Sequence, residues 1–307
     1  MKVAFALGSG AARALAQIGV LKFFKEVGFK PDIITGSSIG AFLGALYATG
    51  LTVEEMQEIA GELNWRKLGG YLDISHHHGL IEGQKFEDFL SHLISIDTFE
   101  ECPVKFGVVS SNFTTGKKVY HSSGSIIPAI HASMAFPGVF SPVVSGKDIL
   151  IDGGLVEPIP YGLAQSLGAD FIVGVNVTPH VSHDFKKIPS SKPYFHRPPQ
   201  STITASLMEE WLMKFKTSKS QLQTENVFEV FYKSLIILQN SLSEAAYSQF
   251  KHMAFQIRPV LSGVKVFDFY RAKDIMEKGY QAASKNWKEI KALYNSILQE
   301  EPKHESK

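Results

Sequence analysis

The feature that most constrains this sequence is an alternation of short apolar runs with segments of helical periodicity, sustained over the first 178 residues. Lys2 to Leu7 reads as a buried strand, and Leu15, Ile18, Leu21 and Phe24 mark one face of a helix that ends at Gly28. Pro31 to Thr35 gives a second strand, followed by a helix from about Ile39 to Thr49. Thr52 with Glu55 forms a capping box opening a third helix, and Phe86, Phe89, Leu90, Leu93 and Ile94 form the stripe of a fourth. Val104 to Ser110 is strand-like, with Thr115-Gly116-Lys117 as a hairpin turn before Val119-Tyr120. A helix over Ser125 to Ala135, a short strand at Ile149-Leu150-Ile151, a helix ending near Gly168 and a strand over Phe171 to Val177 complete the run. Strands separated by helices imply a mostly parallel central sheet covered on both faces. The expected class is α/β.

Beyond residue 178 the pattern changes. His180 to Gln200 is rich in proline, serine and histidine without periodicity and reads as a long connection. Helical stretches follow around Leu207 to Phe215 and from Phe228 to Leu242, then a strand over Phe255 to Arg258 and a helix from Tyr270 to Leu293. The expected organisation is a core over 1–178, a loop with a candidate interfacial helix over 179–225, and a helical part over 226–307 completing the same domain.

Composition narrows the classes. At 307 residues, 44% hydrophobic and 20% charged, the chain can bury a sizeable core. A net charge of +1 gives no electrostatic reason to expect a nucleic-acid partner. The single cysteine, Cys102, excludes an internal disulfide framework and suits a reducing compartment. The apolar start stops at Gly8-Ser9-Gly10 and meets Arg13, too short and broken for a signal peptide. Ile33 to Val53 carries no charge and is nominally long enough to cross a bilayer, but its serines and glycines fit a buried strand-turn-helix better. A cytoplasmic location without a transmembrane helix is expected.

Chemistry enters with Gly36-Ser37-Ser38-Ile39-Gly40, a match to G-x-S-x-G centred on Ser38. A serine on a strained strand-to-helix turn projects its hydroxyl clear of the backbone. Composition alone supplies roughly 0.2 such matches in a chain this long, so the preceding strand and following helix carry the reading. The alternative is a helix N-terminus that the serine merely caps. Between the first strand and first helix, Gly8-Ser9-Gly10-Ala11-Ala12-Arg13 offers backbone N–H groups that can converge on an anion. As a dinucleotide loop it lacks the third glycine and the acidic residue at the usual distance. Asp152-Gly153-Gly154 places a carboxylate at a strand end, within reach of a serine on a neighbouring strand, although the tripeptide is also a good turn.

No histidine fits a triad: His131 falls on a helix, His121 ends a hairpin strand, His180 and His183 lie in the irregular stretch, and His76-His77-His78 lack metal-ligand spacing. A Ser-Asp pair is preferred, with no metal or organic cofactor. Two apolar stripes could meet a lipid surface. One is Leu207, Trp211, Leu212 and Phe215, with Lys214, Lys216 and Lys219 nearby. The other is Phe228, Phe231, Tyr232, Leu235 and Leu242, and either could equally pack on a core.

Together, Gly8-x-Gly10-x-x-Arg13, Ile18-Gly19-Val20-Leu21, the Ser38 motif, the segment from Ala129 to Gly138, and Asp152-Gly153-Gly154-Leu155-Val156-Glu157-Pro158-Ile159-Pro160 resemble the bacterial patatin-like phospholipases. The resemblance runs almost continuously from residue 1 to 178 and returns weakly at Ile257-Arg258-Pro259. It implies a three-layer fold, a catalytic pair of Ser38 and Asp152, and lipid acyl ester substrates. It also implies an oxyanion and substrate-binding loop of Gly8, Gly10, Ala11 and Arg13, with Gly36, Gly40, Gly153 and Gly154 supporting the motifs. The sequence departs from the family pattern at Ser9, Ala11, Ala14 and Gln17, where glycine or, at 17, histidine is common. Two rival functions stay open: a non-catalytic regulatory protein that kept the fold, and an esterase or thioesterase for small soluble substrates.

Overall fold

The computed structural model describes residues 1–62, 83–179 and 227–300. His76-His77-His78, His180, His183 and the Leu207 to Phe215 stripe with its lysines lie outside these residues, as does most of the expected 179–225 segment.

The strands are β1 (Val3–Leu7), β2 (Ile33–Ser37), β3 (Lys105–Asn112), β4 (Lys118–His121), β5 (Val143–Ser145), β6 (Asp148–Asp152), β7 (Phe171–Val175) and β8 (Ala254–Ile257). The helices are α1 (Ala16–Glu26), α2 (Ile39–Ala48), α3 (Val53–Glu62), α4 (Gln84–Leu93), α5 (Ile126–Met134), α6 (Tyr161–Ser166), α7 (Val227–Phe250) and α8 (Ala272–Glu300). The chain is α/β, as its alternation implies. The Thr52–Glu55 capping box is formed: each residue's backbone N–H donates to the other's side chain, at 2.7 and 3.2 Å.

Five strands are parallel, in the order β3-β2-β1-β7-β8. The flank is not. β4 and β6 both run antiparallel to β3, and β5 pairs antiparallel with β6. The pairing of β3 decides which chain ends can meet. Its residues Lys105 to Val109 face β2, while Ser110 to Asn112 face β6. β4 pairs with Val108 to Ser111 and so overlaps both, which puts it on the opposite edge. β2 and β6 therefore lie end to end along one edge of β3.

Central β1 is buried along its whole length, and its side chains divide by period two. Val3, Phe5 and Leu7 join a large core with α1, α2, α3, α5 and α8, whereas Ala4 and Ala6 join a smaller one with α6, α7 and β8. On the second face Tyr161 stacks on Phe250 with ring centroids 5.9 Å apart. The first face closes by backbone contact between α1 and α8. A Cβ on Gly19 would stand 1.8 Å from Met276 O, and one on Gly279 would stand 1.8 Å from Ala16 O. Phe23, Phe24 and Phe29 cluster edge-on around Trp287 at the same seam.

The helical part expected after residue 226 thus supplies an edge strand and a packing helix to the same sheet. α7 runs to Phe250, beyond the expected end at Leu242, and splits the second apolar stripe. Tyr232 and Leu235 turn inward or to the boundary, while Phe231 and Leu242 face out beside Val230, Ile237 and Leu238. No helix among the described residues is long and apolar enough to cross a membrane.

The α1–α8 seam yields a stability test. Gly19→Ala should lower unfolding free energy by about 1–3 kcal/mol, the usual cost of forcing a methyl into a packed contact. Gly61→Ala, with nothing within 4 Å of the added carbon, should be neutral or gain up to about 1 kcal/mol from helix propensity. Urea denaturation of the two variants reads both signs.

Candidate active site

Because β2 and β6 meet end to end, Ser37 faces Val109 and Asp152 faces Ser110, the next residue along β3. Ser38 follows at once. Its hydroxyl donates to Asp152 Oδ2 at 2.6 Å. The sequence places the carboxylate on a neighbouring strand; it comes instead from the strand that continues β2's own line.

Ser38 takes φ 56° and ψ −129°, a left-handed conformation that costs a non-glycine residue on the order of 1–3 kcal/mol. Two contacts hold it there. Its N–H donates to Ser133 Oγ at 2.9 Å, and its carbonyl accepts from Ala41 N at 2.8 Å in the first turn of α2. The flanking glycines are required by crowding: a Cβ on Gly36 would lie 2.4 Å from Ala41 Cα, and one on Gly40 would lie 2.2 Å from Leu7 O.

Asp152 is fully buried and fixed from several sides. Its N–H donates to Ala135 O at 3.0 Å, its carbonyl accepts from Ser111 Oγ at 2.7 Å, and its Oδ1 accepts from Gly154 N at 2.7 Å. Burial raises its pKa from the usual carboxylate value to about 7, against the opposing pull of the Ser38 hydroxyl and the Gly154 N–H. Gly153 and Gly154 form the short 3₁₀ turn beyond it, and Gln239 of α7 reaches in to donate to Gly154 O at 3.1 Å.

The loop Gly8 to Arg13 runs from β1 into α1 and is tied at both ends. Gly8 N donates to Val175 O, Ser9 N to Pro158 O and Ala12 N to Val266 O, while Gln17 Nε2 donates to Gly8 O at 2.6 Å. The N–H groups of Gly10 and Ala11 donate to no acceptor among the described residues. Ala11 sits at φ 48°, the second non-glycine residue with positive φ beside Ser38. Arg13 is buried behind the loop and bonds Tyr232 of α7, leaving its Nε and Nη1 without acceptors among the described residues.

None of the described histidines bonds Ser38 or Asp152. His131 Nδ1 lies 2.6 Å from Glu87 Oε1, and His121 Nε2 lies 2.7 Å from Ser110 Oγ. Burial pushes the Cys102 thiol up to about 11, which makes it a poor nucleophile. Among the described residues no three acidic, histidine or cysteine side chains group to hold a metal. Sequence reasoning missed Ser133 and Gln239 as site residues. Ser133 lies inside the segment resembling the family, whereas Gln239 carried no local signal.

A family model for patatin-like phospholipase matches residues 5–164, a span holding Ser38, Asp152 and the loop between β1 and α1. The chain belongs to the patatin-like phospholipase family. An uncharacterized NTE family protein of Mycobacterium tuberculosis is 33% identical over 177 residues, covering 57% of this chain and 49% of that protein. Patatin-like phospholipase domain-containing protein 6 of Homo sapiens is 26% identical over 293 residues, covering 91% of this chain and 20% of its own. The chain thus spans about half the length of the first relative and a fifth of the second. Among solved structures, VipD from Legionella pneumophila overlays 96% of this chain and 67% of its own with a TM-score of 0.46 at 13% identity.

The buried carboxyl has a thermodynamic signature. Its folded pKa of about 7 lies above the unfolded value of 3.8, so between these pH values the folded state holds the proton more tightly and stability falls as pH rises. Asp152→Asn removes that penalty. The variant should match the wild type below pH 4, gain steadily to pH 7, and then hold a constant advantage of about 2–4 kcal/mol. Melting curves across pH 4–9 follow it.

Proposed function

We propose that the chain is a serine hydrolase of lipid acyl esters, with Ser38 as nucleophile and Asp152 as its base. The observation that carries this reading is the 2.6 Å hydrogen bond from a strained, half-buried serine to a fully buried carboxylate whose proton affinity is tuned to about 7. An aspartate near its usual pKa is a poor base for a serine hydroxyl; one near 7 is matched to neutral pH.

In the first step Asp152 Oδ2 takes the Ser38 proton as Oγ bonds to the ester carbonyl carbon. The tetrahedral oxyanion is received by the N–H groups of Gly10 and Ala11, whose freedom from internal acceptors supports this role. Collapse breaks the bond to the leaving alcohol, which carries away the proton held by Asp152. In the second step Asp152 takes a proton from water as its oxygen attacks the acyl-serine, and returns it to Ser38 when the fatty acid leaves. Arg13 contributes its positive charge from behind the loop while anchored to Tyr232. Neither step needs a metal or an organic cofactor.

Family membership supports lipid over small soluble esters as the substrate class. The outward apolar arc of α7, with Val230, Phe231, Ile237, Leu238 and Leu242 exposed, supports contact with aggregated substrate. The Leu207, Trp211, Leu212 and Phe215 stripe remains a second proposed membrane contact.

A fluorophosphonate probe tests the reading. It should label the wild type, fail on Ser38→Ala, and label Asp152→Asn at least about a hundredfold more slowly, the range typical of a lost general base. Wild-type labelling should be half-maximal near pH 7 and drop tenfold per unit below, because only the ionised carboxylate accepts the proton. Release of fatty acid from phosphatidylcholine vesicles, compared with a short-chain soluble ester, separates the lipid reading from the small-ester one. A folded wild type that resists the probe would point to the non-catalytic regulatory alternative.

A further inference from the structure

One buried group beside the dyad has no part in the acyl-transfer steps. Ser9, between Gly8 and Gly10, is 3% exposed, and its hydroxyl has no hydrogen-bond partner among the described residues. Its backbone is fixed by the bond from Ser9 N to Pro158 O at 2.8 Å. A buried hydroxyl left unpartnered is costly, and a nearby acceptor with an open lone pair would satisfy it.

The α-carbon of Gly154 locates that acceptor. A Cβ built there would stand 2.8 Å from Ser9 Oγ, 2.9 Å from Asp152 Oδ1 and 2.9 Å from Gln239 Nε2. Three polar atoms thus converge on one point, and Ser9 Oγ and Asp152 Oδ1 lie within two hydrogen-bond lengths of each other. Oδ1 is the oxygen turned away from Ser38. It accepts one bond, from Gly154 N, whereas a carboxylate oxygen takes two. Gln239 Nε2 already places one hydrogen on Gly154 O, whereas the Ser9 hydroxyl has no acceptor among the described residues.

We infer that Ser9 is a positioning residue of the catalytic pair: its hydroxyl donates to Asp152 Oδ1, directly or through one bridging water, and holds the carboxylate with Oδ2 facing Ser38. The inference rests on the dyad reading and deepens it. The hydroxyl binds the ionised carboxylate more strongly than the protonated one, so it opposes the effect of burial on the base. The charged groups on surrounding elements have partners of their own, although Arg13 Nε and Nη1 lack acceptors among the described residues. Arg13 bonds Tyr232, Glu157 binds Tyr120, Gly162 N and Lys118, and His131 pairs with Glu87.

The test is the pH dependence of the fluorophosphonate labelling rate in the full chain, for wild type, Ser9→Ala and Ser9→Gly. Both variants delete the hydroxyl, and the glycine variant adds no bulk should the alanine variant fold poorly. The expected result is a midpoint displaced upward by about half to one pH unit in both, the equivalent of one net hydrogen bond. Above the midpoint, rates should level off at a plateau no higher than that of the wild type. Profiles that superimpose on the wild type would overturn the inference, as would a uniform loss of rate at every pH with the midpoint unmoved. A wild type without any midpoint would instead remove the Ser38–Asp152 reading, and the role of Ser9 with it.

Discussion

The site depends on one constraint of strand pairing: β3 is longer than β2, and the edge that β2 leaves unpaired is taken up by β6 from the opposite direction. Unpaired backbone groups in a buried sheet are costly, so β6 is drawn to Ser110 through Asn112, where β2 has ended. Two chain ends then face each other across a gap of one register position. The turn out of β2 carries Ser38 and the turn out of β6 carries Asp152, and no long side chain is needed to bridge them. A serine and an aspartate, both short, suffice at 2.6 Å.

Burial of Asp152 follows from the same geometry. Asp152 ends a strand inside the sheet, beneath α5 and the loop from β1, so its carboxyl has no solvent to ionise against. Protein groups replace that solvent incompletely: Ser38 on one oxygen, Gly154 N on the other, with burial still the larger effect. This balance holds the carboxyl pKa near 7 and lowers the stability of the ionised protein. Strain at Ser38 and Ala11 adds to the cost. The α1–α8 seam, with its backbone contacts and aromatic cluster, lies on the far side of β1 and gives the rigid packing against which such strain can be held.

Much of this was legible in the sequence, and the limits have a physical origin. β1, β2, β3 and β7 announce themselves because strands buried on both faces carry short runs of apolar residues, and the turns after β1 and β2 because glycine relieves crowding there. Ser38 and Asp152 stood out for the same reason, each beside glycines that permit a tight exit from a strand. β5 escaped notice: it has three residues, it is mostly exposed, and nothing in Val143 to Ser145 distinguishes it from a loop. The end-to-end meeting of β2 and β6 could not be read either, because it depends on the relative lengths of three strands. Ser133 and Gln239 were invisible for a related reason. Each is a polar side chain on a helix whose sequence does not name its partner, and only the packing of α5 and α7 reveals which backbone group it satisfies.

Gln239 also bears on where the functional unit ends. The family match stops at residue 164, yet the site does not. Val266 O holds Ala12 N, Tyr232 holds Arg13, and Gln239 holds Gly154 O, all from residues after 226. β8 closes the sheet beyond β7, and α8 supplies Gly279 to the seam under the first helix. The loop whose Gly10 and Ala11 N–H groups find no acceptor among the described residues keeps its shape because Val175, Pro158 and Val266 take the N–H groups on either side, and the last of these comes from the C-terminal part. Ser38, Asp152 and the loop after β1 thus lie within the family match, while the contacts that hold them in place are drawn from both halves of the chain.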